Sequence, residues 1–280
     1  MRKTGIDRTE AGRTWLSAAA RVLAAPDEVA MAHTRHGHFD ADRTAEAWRF
    51  LLRRGQRLTV DVAFAGGESF IDLFRADDGV RLASATPESS RLTYTSRADD
   101  EVIVRVQVPL DRDGSFRAVQ RAEATLRFPV ERVTARAVGG GFGEGRDRGR
   151  RRHEGIDIFA PRGTPVVAAA DGWITAQTTN RLGGNVVWVW SLRPRIALYY
   201  AHLDRHAVSP GDRVRAGDVL GYVGNTGNAR GTSPHLHFGV YAPPAGAVDP
   251  LPFVCDAPCG ERLMQPRTRP RAGSEVETDS

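Results

Sequence analysis

The chain has 280 residues, 41% hydrophobic and 26% charged, with a net charge of +5 and a pI near 9.7. That length accommodates one large or two ordinary domains, and the composition excludes a disordered or fibrous chain. The basic balance suits polyanionic surroundings without choosing among them. Lys3 as the sole lysine excludes Schiff-base chemistry and a lysine-attached cofactor in the body of the protein.

No apolar run approaches the roughly 18–20 residues of a membrane span. Met1-Arg2-Lys3 makes a poor start to an export signal, since Asp7 and Glu10 intrude and Arg21 breaks the stretch 15–25, so no clear signal peptide is read. Residues 1–40 are taken as an N-terminal helix and connector. The helix is predicted over 11–25 and is stopped by Pro26. His33, His36 and His38 lack the periodicity that would fix ligand geometry and are read as solvated connector rather than a metal site.

From 41 to 130 short strands alternate with turns. Leu58, Val60, Val62 and Phe64 alternate with more polar residues, and the run 102–108 continues the pattern. Gly66-Gly67, Asp77-Asp78-Gly79 and Asp111-Arg112-Asp113-Gly114 punctuate it. The expectation is a small β-sandwich. It loosely resembles the accessory sandwiches that flank secreted bacterial peptidases, and no acid, base and nucleophile cluster within it. A targeting or autoinhibitory role is expected for it. Residues 131–152, with Gly139-Gly140-Gly141 and Arg146, Arg148, Arg150, Arg151 and Arg152, are read as a Gly/Arg-rich linker and loop. Residues 153–254 form a second predicted domain, and 255–280 a disordered tail. The pairing of Cys255 with Cys259 is left open.

Three elements of 153–254 carry chemistry. His153-Glu154-Gly155-Ile156-Asp157 places His153 and Asp157 four apart, and Gly155, Ile156, Ile158 and Pro161 favour a strand that projects both to one face. His235-Leu236-His237-Phe238 alternates imidazole with apolar residues, the mark of a half-buried strand with two histidines on its wet side. His202, after the strand-like run 196–200, gains weight only beside the other two. Two imidazoles and one carboxylate suit a catalytic zinc, which takes three protein ligands and leaves a fourth position open. Only one of His235 and His237 is needed as a ligand, which leaves the other as base or donor. The helical motif with two histidines around a glutamate is absent.

The segments "GFGEGRDRGRRRHEGIDIFAPRGTPVVAAADGWI", "YYAHL", "PGDRVRAGDVLGYVGNTG" and "SPHLHFGVY" closely resemble the lysostaphin/LytM-type zinc metalloendopeptidases, hydrolases of bacterial peptidoglycan, over about residues 138–253. The resemblance implies an all-β protein with a C-terminal lysostaphin-type antiparallel β-sheet catalytic domain. It implies one zinc per chain on His153, Asp157 and His237, with His202 and His235 as the catalytic pair. It further implies a monomer acting in the cell envelope on the peptides of peptidoglycan. Either His202 or His235 would take the proton of the attacking water, while the other donates to the oxyanion. The alternative is a catalytically silent peptidoglycan-binding regulator that activates another wall hydrolase. Nucleic-acid binding rests on charge alone and is not expected.

Overall fold

The structure, a computed structural model, describes residues 6–256. Helix α1 (Glu10–Ala24) begins where the Thr9 hydroxyl accepts a hydrogen bond from the Gly12 N–H at 3.0 Å, an N-cap that satisfies one of the free amides of the first turn. Its apolar stripe buries Trp15, Ala18 and Ala19. The Trp15 indole N–H donates to the Val108 carbonyl at 2.7 Å, and the Gln107 amide donates to the Trp15 carbonyl at 2.9 Å. The helix is therefore docked on the strands that follow.

Nine strands come next: β1 (Asp27–Glu28), β2 (His33–Phe39), β3 (Ala45–Leu52), β4 (Arg57–Phe64), β5 (Phe70–Arg75), β6 (Arg81–Ser84), β7 (Arg91–Thr95), β8 (Asp100–Gln107) and β9 (Gly114–Glu123). They form a five-stranded sheet in the order β1-β3-β8-β5-β6 and a four-stranded sheet β2-β9-β4-β7. Period-two alternation sends Leu58, Val60 and Val62 of β4 and Val102, Val104 and Val106 of β8 into one core between them. The Trp48 indole bridges the sheets by donating to Gln120 Oε1 at 2.6 Å.

The stretch with His33, His36 and His38 differs from the connector expected of it: it is strand β2, paired antiparallel with β9 from His33↔Gln120 to Phe39↔Gly114. Its half-buried positions include a charged residue and a glycine, so hydropathy alone does not reveal it. Arg35 there is ion-paired with the buried Glu46. A Cβ on Gly37 would lie 2.5 Å from the Phe116 ring, so the aromatic fills the space that a side chain at 37 would take.

The second half contains β10 (Val138–Gly140), β11 (Gly145–Arg146), β12 (Arg151–Arg152), β13 (Ile156–Phe159), β14 (Pro165–Val167), β15 (Gly172–Asn180), β16 (Gly184–Leu192), β17 (Arg195–His206), β18 (Arg213–Val214), β19 (Val219–Val223), β20 (His235–Ala242) and β21 (Gly246–Val248), then the short helix α2 (Leu251–Val254). Its main sheet runs β10-β13-β20-β17-β16-β15-β18, with β14, β19 and β21 joined at its sides. The fold is all-β apart from α1 and short helical turns, and this main sheet is antiparallel throughout. The segment read as a linker, 131–152, contributes strand β10 and the β11–β12 hairpin to this half.

Packing of this half begins before residue 131. Leu126 and Val130 belong to its hydrophobic core. Arg127 N donates to Ala169 O at 2.9 Å, Val167 N to Pro129 O at 2.9 Å and Glu131 N to Pro165 O at 3.1 Å. Thr125 N and Leu126 N also both donate to the Phe253 carbonyl, at 3.0 and 2.8 Å, so the two ends of the unit meet. Among the described residues no helix is long and apolar enough to cross a membrane. Cys259 and the tail 257–280 lie outside the described residues, and with them the readings of disorder and of a Cys255–Cys259 pair.

Candidate active site

Four adjacent strands bring the chemistry together by register. Gly140 of β10 stands opposite Asp157 of β13, Asp157 opposite His237 of β20, and His237 opposite Ala201 of β17. Along β20, Leu236, Phe238 and Val240 enter the core, while His235, His237 and Tyr241 alternate onto the other face. The strand β13 starts at Ile156, so His153 is not on it as expected; it sits in the preceding turn. Its backbone is fixed there by Gly143 N donating to its carbonyl and its own N–H donating to Glu144 O, both at 2.8 Å.

His153 Nε2, Asp157 Oδ1 and His237 Nδ1 form a small triangle with sides of 3.0, 3.1 and 2.9 Å. A carbonyl can only accept, so the 2.7 Å contact of His153 Nδ1 with Gly141 O places the proton on Nδ1 and turns the Nε2 lone pair inward. Three lone-pair-bearing atoms this close require positive charge between them, either protons or a cation. The spacing fits a tetrahedral ion: ligand bonds of about 2.0–2.1 Å put neighbouring donors about 3.3 Å apart. Among the described residues this is the group able to hold a metal. Burial opposes ionisation of Asp157, but hydrogen bonds and charge from His153 and His237 hold its carboxyl far below the usual range. Burial likewise pushes His237 below the ordinary imidazole value.

His202 reaches the same centre by a different device. Alternation on β17 would send it with Tyr200 into the core. Instead the register slips between Asn185/Val187 on β16, two residues facing one, and His202 adopts φ +63°. This bulge swings the imidazole beside His235 and His237, with ring centroids at 5.0 and 5.9 Å. His202 Nδ1 donates to Thr226 O at 2.9 Å, and His235 Nδ1 donates to Ser233 O at 2.9 Å. Both rings in their neutral form therefore expose an Nε2 lone pair, that of His235 lying 4.0 Å from Asp157 Oδ1. Burial, helped by the charges of His235 and His237, pushes His202 down to about 4.

The loop 225–228 holds the bulge. The Thr226 hydroxyl donates to Leu203 O at 2.8 Å and accepts from Asn185 N at 2.9 Å. Gly184 (φ +63°) and Gly227 (φ +69°) let the two chains touch backbone to backbone, an approach that side chains would block. The Asn185 amide donates to the carbonyls of Leu203 and Asp204, at 3.1 and 3.0 Å.

Sequence reasoning missed two sets of residues. Arg146, in the stretch expected to be a Gly/Arg-rich linker and loop, donates to Asp157 Oδ2 at 2.8 Å and lies 3.1 Å from His153 Nδ1. Trp188, Tyr199 and Tyr241 form an aromatic shelf beside His237. Trp188 lies 4.5 and 5.1 Å from the two tyrosines, Tyr199 lies 5.8 Å from His237, and the Tyr241 hydroxyl donates to Glu154 at 3.0 Å. The shelf's signal is present as Tyr199 two residues before Ala201 and Tyr241 four after His237, but only the register of three strands joins them with Trp188. The fifth histidine of this half, His206, stands apart with Gln177 at 2.7 Å.

Residues 151–250 match the model of peptidase family M23. Over 88 residues it is 41% identical to peptidoglycan DD-endopeptidase ShyC of Vibrio cholerae, covering 31% of this chain and 20% of that protein. Over 112 residues it is 40% identical to glycyl-glycine endopeptidase ALE-1 of Staphylococcus capitis, covering 39% and 30%. The chain thus spans less than a third of the length of these relatives. The solved catalytic domain of lysostaphin from Staphylococcus simulans is 34% identical, with a TM-score of 0.37, covering 41% of this chain and 89% of that one.

Proposed function

We propose that this protein is a zinc-dependent endopeptidase that hydrolyses a peptide bond of bacterial peptidoglycan. The observation that supports this most is the convergence of three donor atoms within 4.8 Å of one another, with two further imidazoles turned to the same point. His153 through Nε2, Asp157 through Oδ1 and His237 through Nδ1 would hold the ion. When bound, zinc supplies Lewis acidity toward the scissile carbonyl and toward water.

The remaining chemistry belongs to His202 and His235. Their Nδ1 protons are committed to Thr226 O and Ser233 O, so each can accept a proton only at Nε2. One takes the proton of the attacking water there. The ring that receives it becomes a donor at Nε2 and returns the proton to the leaving amine. The other ring stabilises the developing oxyanion in its doubly protonated form, in which Nε2 too is a donor, a contribution typically of about 10²–10³ in rate. The shelf of Trp188, Tyr199 and Tyr241 offers a flat apolar floor beside the ion for the substrate chain. All five residues come from one chain, so a monomer suffices. The substrate class places the action outside the cytoplasm, in the cell envelope.

Purified protein incubated with peptidoglycan should release new amino groups, and o-phenanthroline or Asp157→Ala should abolish that release. Release that persists under either condition overturns the reading. Binding to wall material with no release under any condition favours the silent regulator.

A further inference from the structure

The metal triangle is backed by a second layer of contacts from residues 139–146, which the chemistry above does not use. Asp157 Oδ1 faces His153, His237 and His235, whereas Oδ2 faces away from them toward the Arg146 guanidinium at 2.8 Å. The guanidinium is held in turn by Glu144, whose carboxylate lies 3.5 Å from it and also accepts the Gly141 N–H at 2.8 Å. The Gly141 carbonyl is the partner of His153 Nδ1. One short loop thus fixes the orientation of two of the three donors. Space for it exists because residue 140 lacks a side chain: a Cβ there would lie 2.6 Å from Asp157 Oδ2 and 2.8 Å from Arg146 Nη2.

We infer that Arg146 is a positioning residue of the metal centre: it occupies Oδ2 of Asp157 so that the carboxylate offers the ion a single oxygen and the fourth corner stays open. This rests on the metal reading given above. A carboxylate with both oxygens free can chelate, raising the coordination number and filling the position that substrate and water need. A planar guanidinium, always charged, can neutralise the outer oxygen without itself being a ligand, and partners of this kind govern how tightly a centre holds its metal. A positive group so close to a cation is disfavoured on charge alone; the carboxylate between them offsets that repulsion.

The test uses the full-length chain loaded with cobalt(II), read by its visible absorption, and with zinc, read by competition against a chelator. Wild-type protein should show the intense bands of a four-coordinate ion. Arg146→Gln should lose band intensity as Oδ2 turns onto the ion, and should release zinc about 10- to 100-fold more readily. Gly140→Ala keeps every charge but displaces the ion pair, and should change the spectrum in the same direction. Circular dichroism and metal-free unfolding should be unchanged in the glutamine variant, which separates positioning from a fold defect. Wild-type band intensity and zinc retention in Arg146→Gln would overturn the inference while leaving the metal reading intact. A wild-type chain that binds neither ion would overturn both.

Discussion

His202 stands in the left-handed region of backbone space, where a Cβ is disfavoured and glycine is at ease. The strain is retained because it carries the ring off the core face and onto the site. Replacing the ring separates the two effects. His202→Gly and His202→Ala should both lose activity, but the glycine variant should be the more stable by about 1 kcal/mol. Urea unfolding of the two variants checks this, and an equal or reversed order would show that the bulge is unstrained. The same residue gives a pH effect. Its folded value of about 4 lies below the unfolded value of 6.5, so the unfolded chain gains the proton first as pH falls. Metal-free protein should therefore be at full strength on this account above about pH 6.5 and lose stability down to about pH 4, in total on the order of 3 kcal/mol. Unfolding midpoints at pH 7 and 4.5 should diverge less in His202→Gln than in wild type.

At the scale of elements, the strand β20 was legible and the segments around it were not, for a physical reason. Leu236 and Phe238 between His235 and His237 obey the period of a strand with one wet face, and that pattern survives folding unchanged. The bulge at His202 breaks the same period, so its spacing in the sequence points the wrong way. Strand β2 hides behind Arg35 and Gly37, whose inward placement makes sense only once Glu46 and Phe116 are in view. Arg146 sits among arginines that share its composition but not its partner. The loop 225–228 illustrates how such irregular pieces are fixed, since Thr226 ties β16 to the residue after His202. Thr226→Val removes both hydroxyl bonds and should lower kcat about tenfold or more while metal content stays at one per chain. Steady-state kinetics alongside metal analysis reads this out, and an unchanged kcat would show that the bulge holds itself.

For the molecule as a whole, the all-β architecture and the position of the catalytic sheet follow from turn spacing and motif order, but its start does not. Residues 125–131 carry no motif; Leu126 and Val130 look like any apolar pair until they are seen in the second core. A fragment of residues 124–256 should accordingly fold and cleave peptidoglycan. One of residues 131–254 should unfold several degrees lower or not fold, having lost Leu126, Val130 and the bonds to Ala169 and Phe253. Thermal unfolding of the two fragments decides between these boundaries.

The clasp of Thr125 and Leu126 on the Phe253 carbonyl also has a mechanical side. Force applied to the flanking segments, as when one is anchored to a wall under tension, is met at this junction and bypasses the strands bearing the imidazoles. By the same token, ends this close could be spliced together and the chain reopened at a distant exposed turn, such as that around Gly246 between β20 and β21, with the histidine geometry preserved.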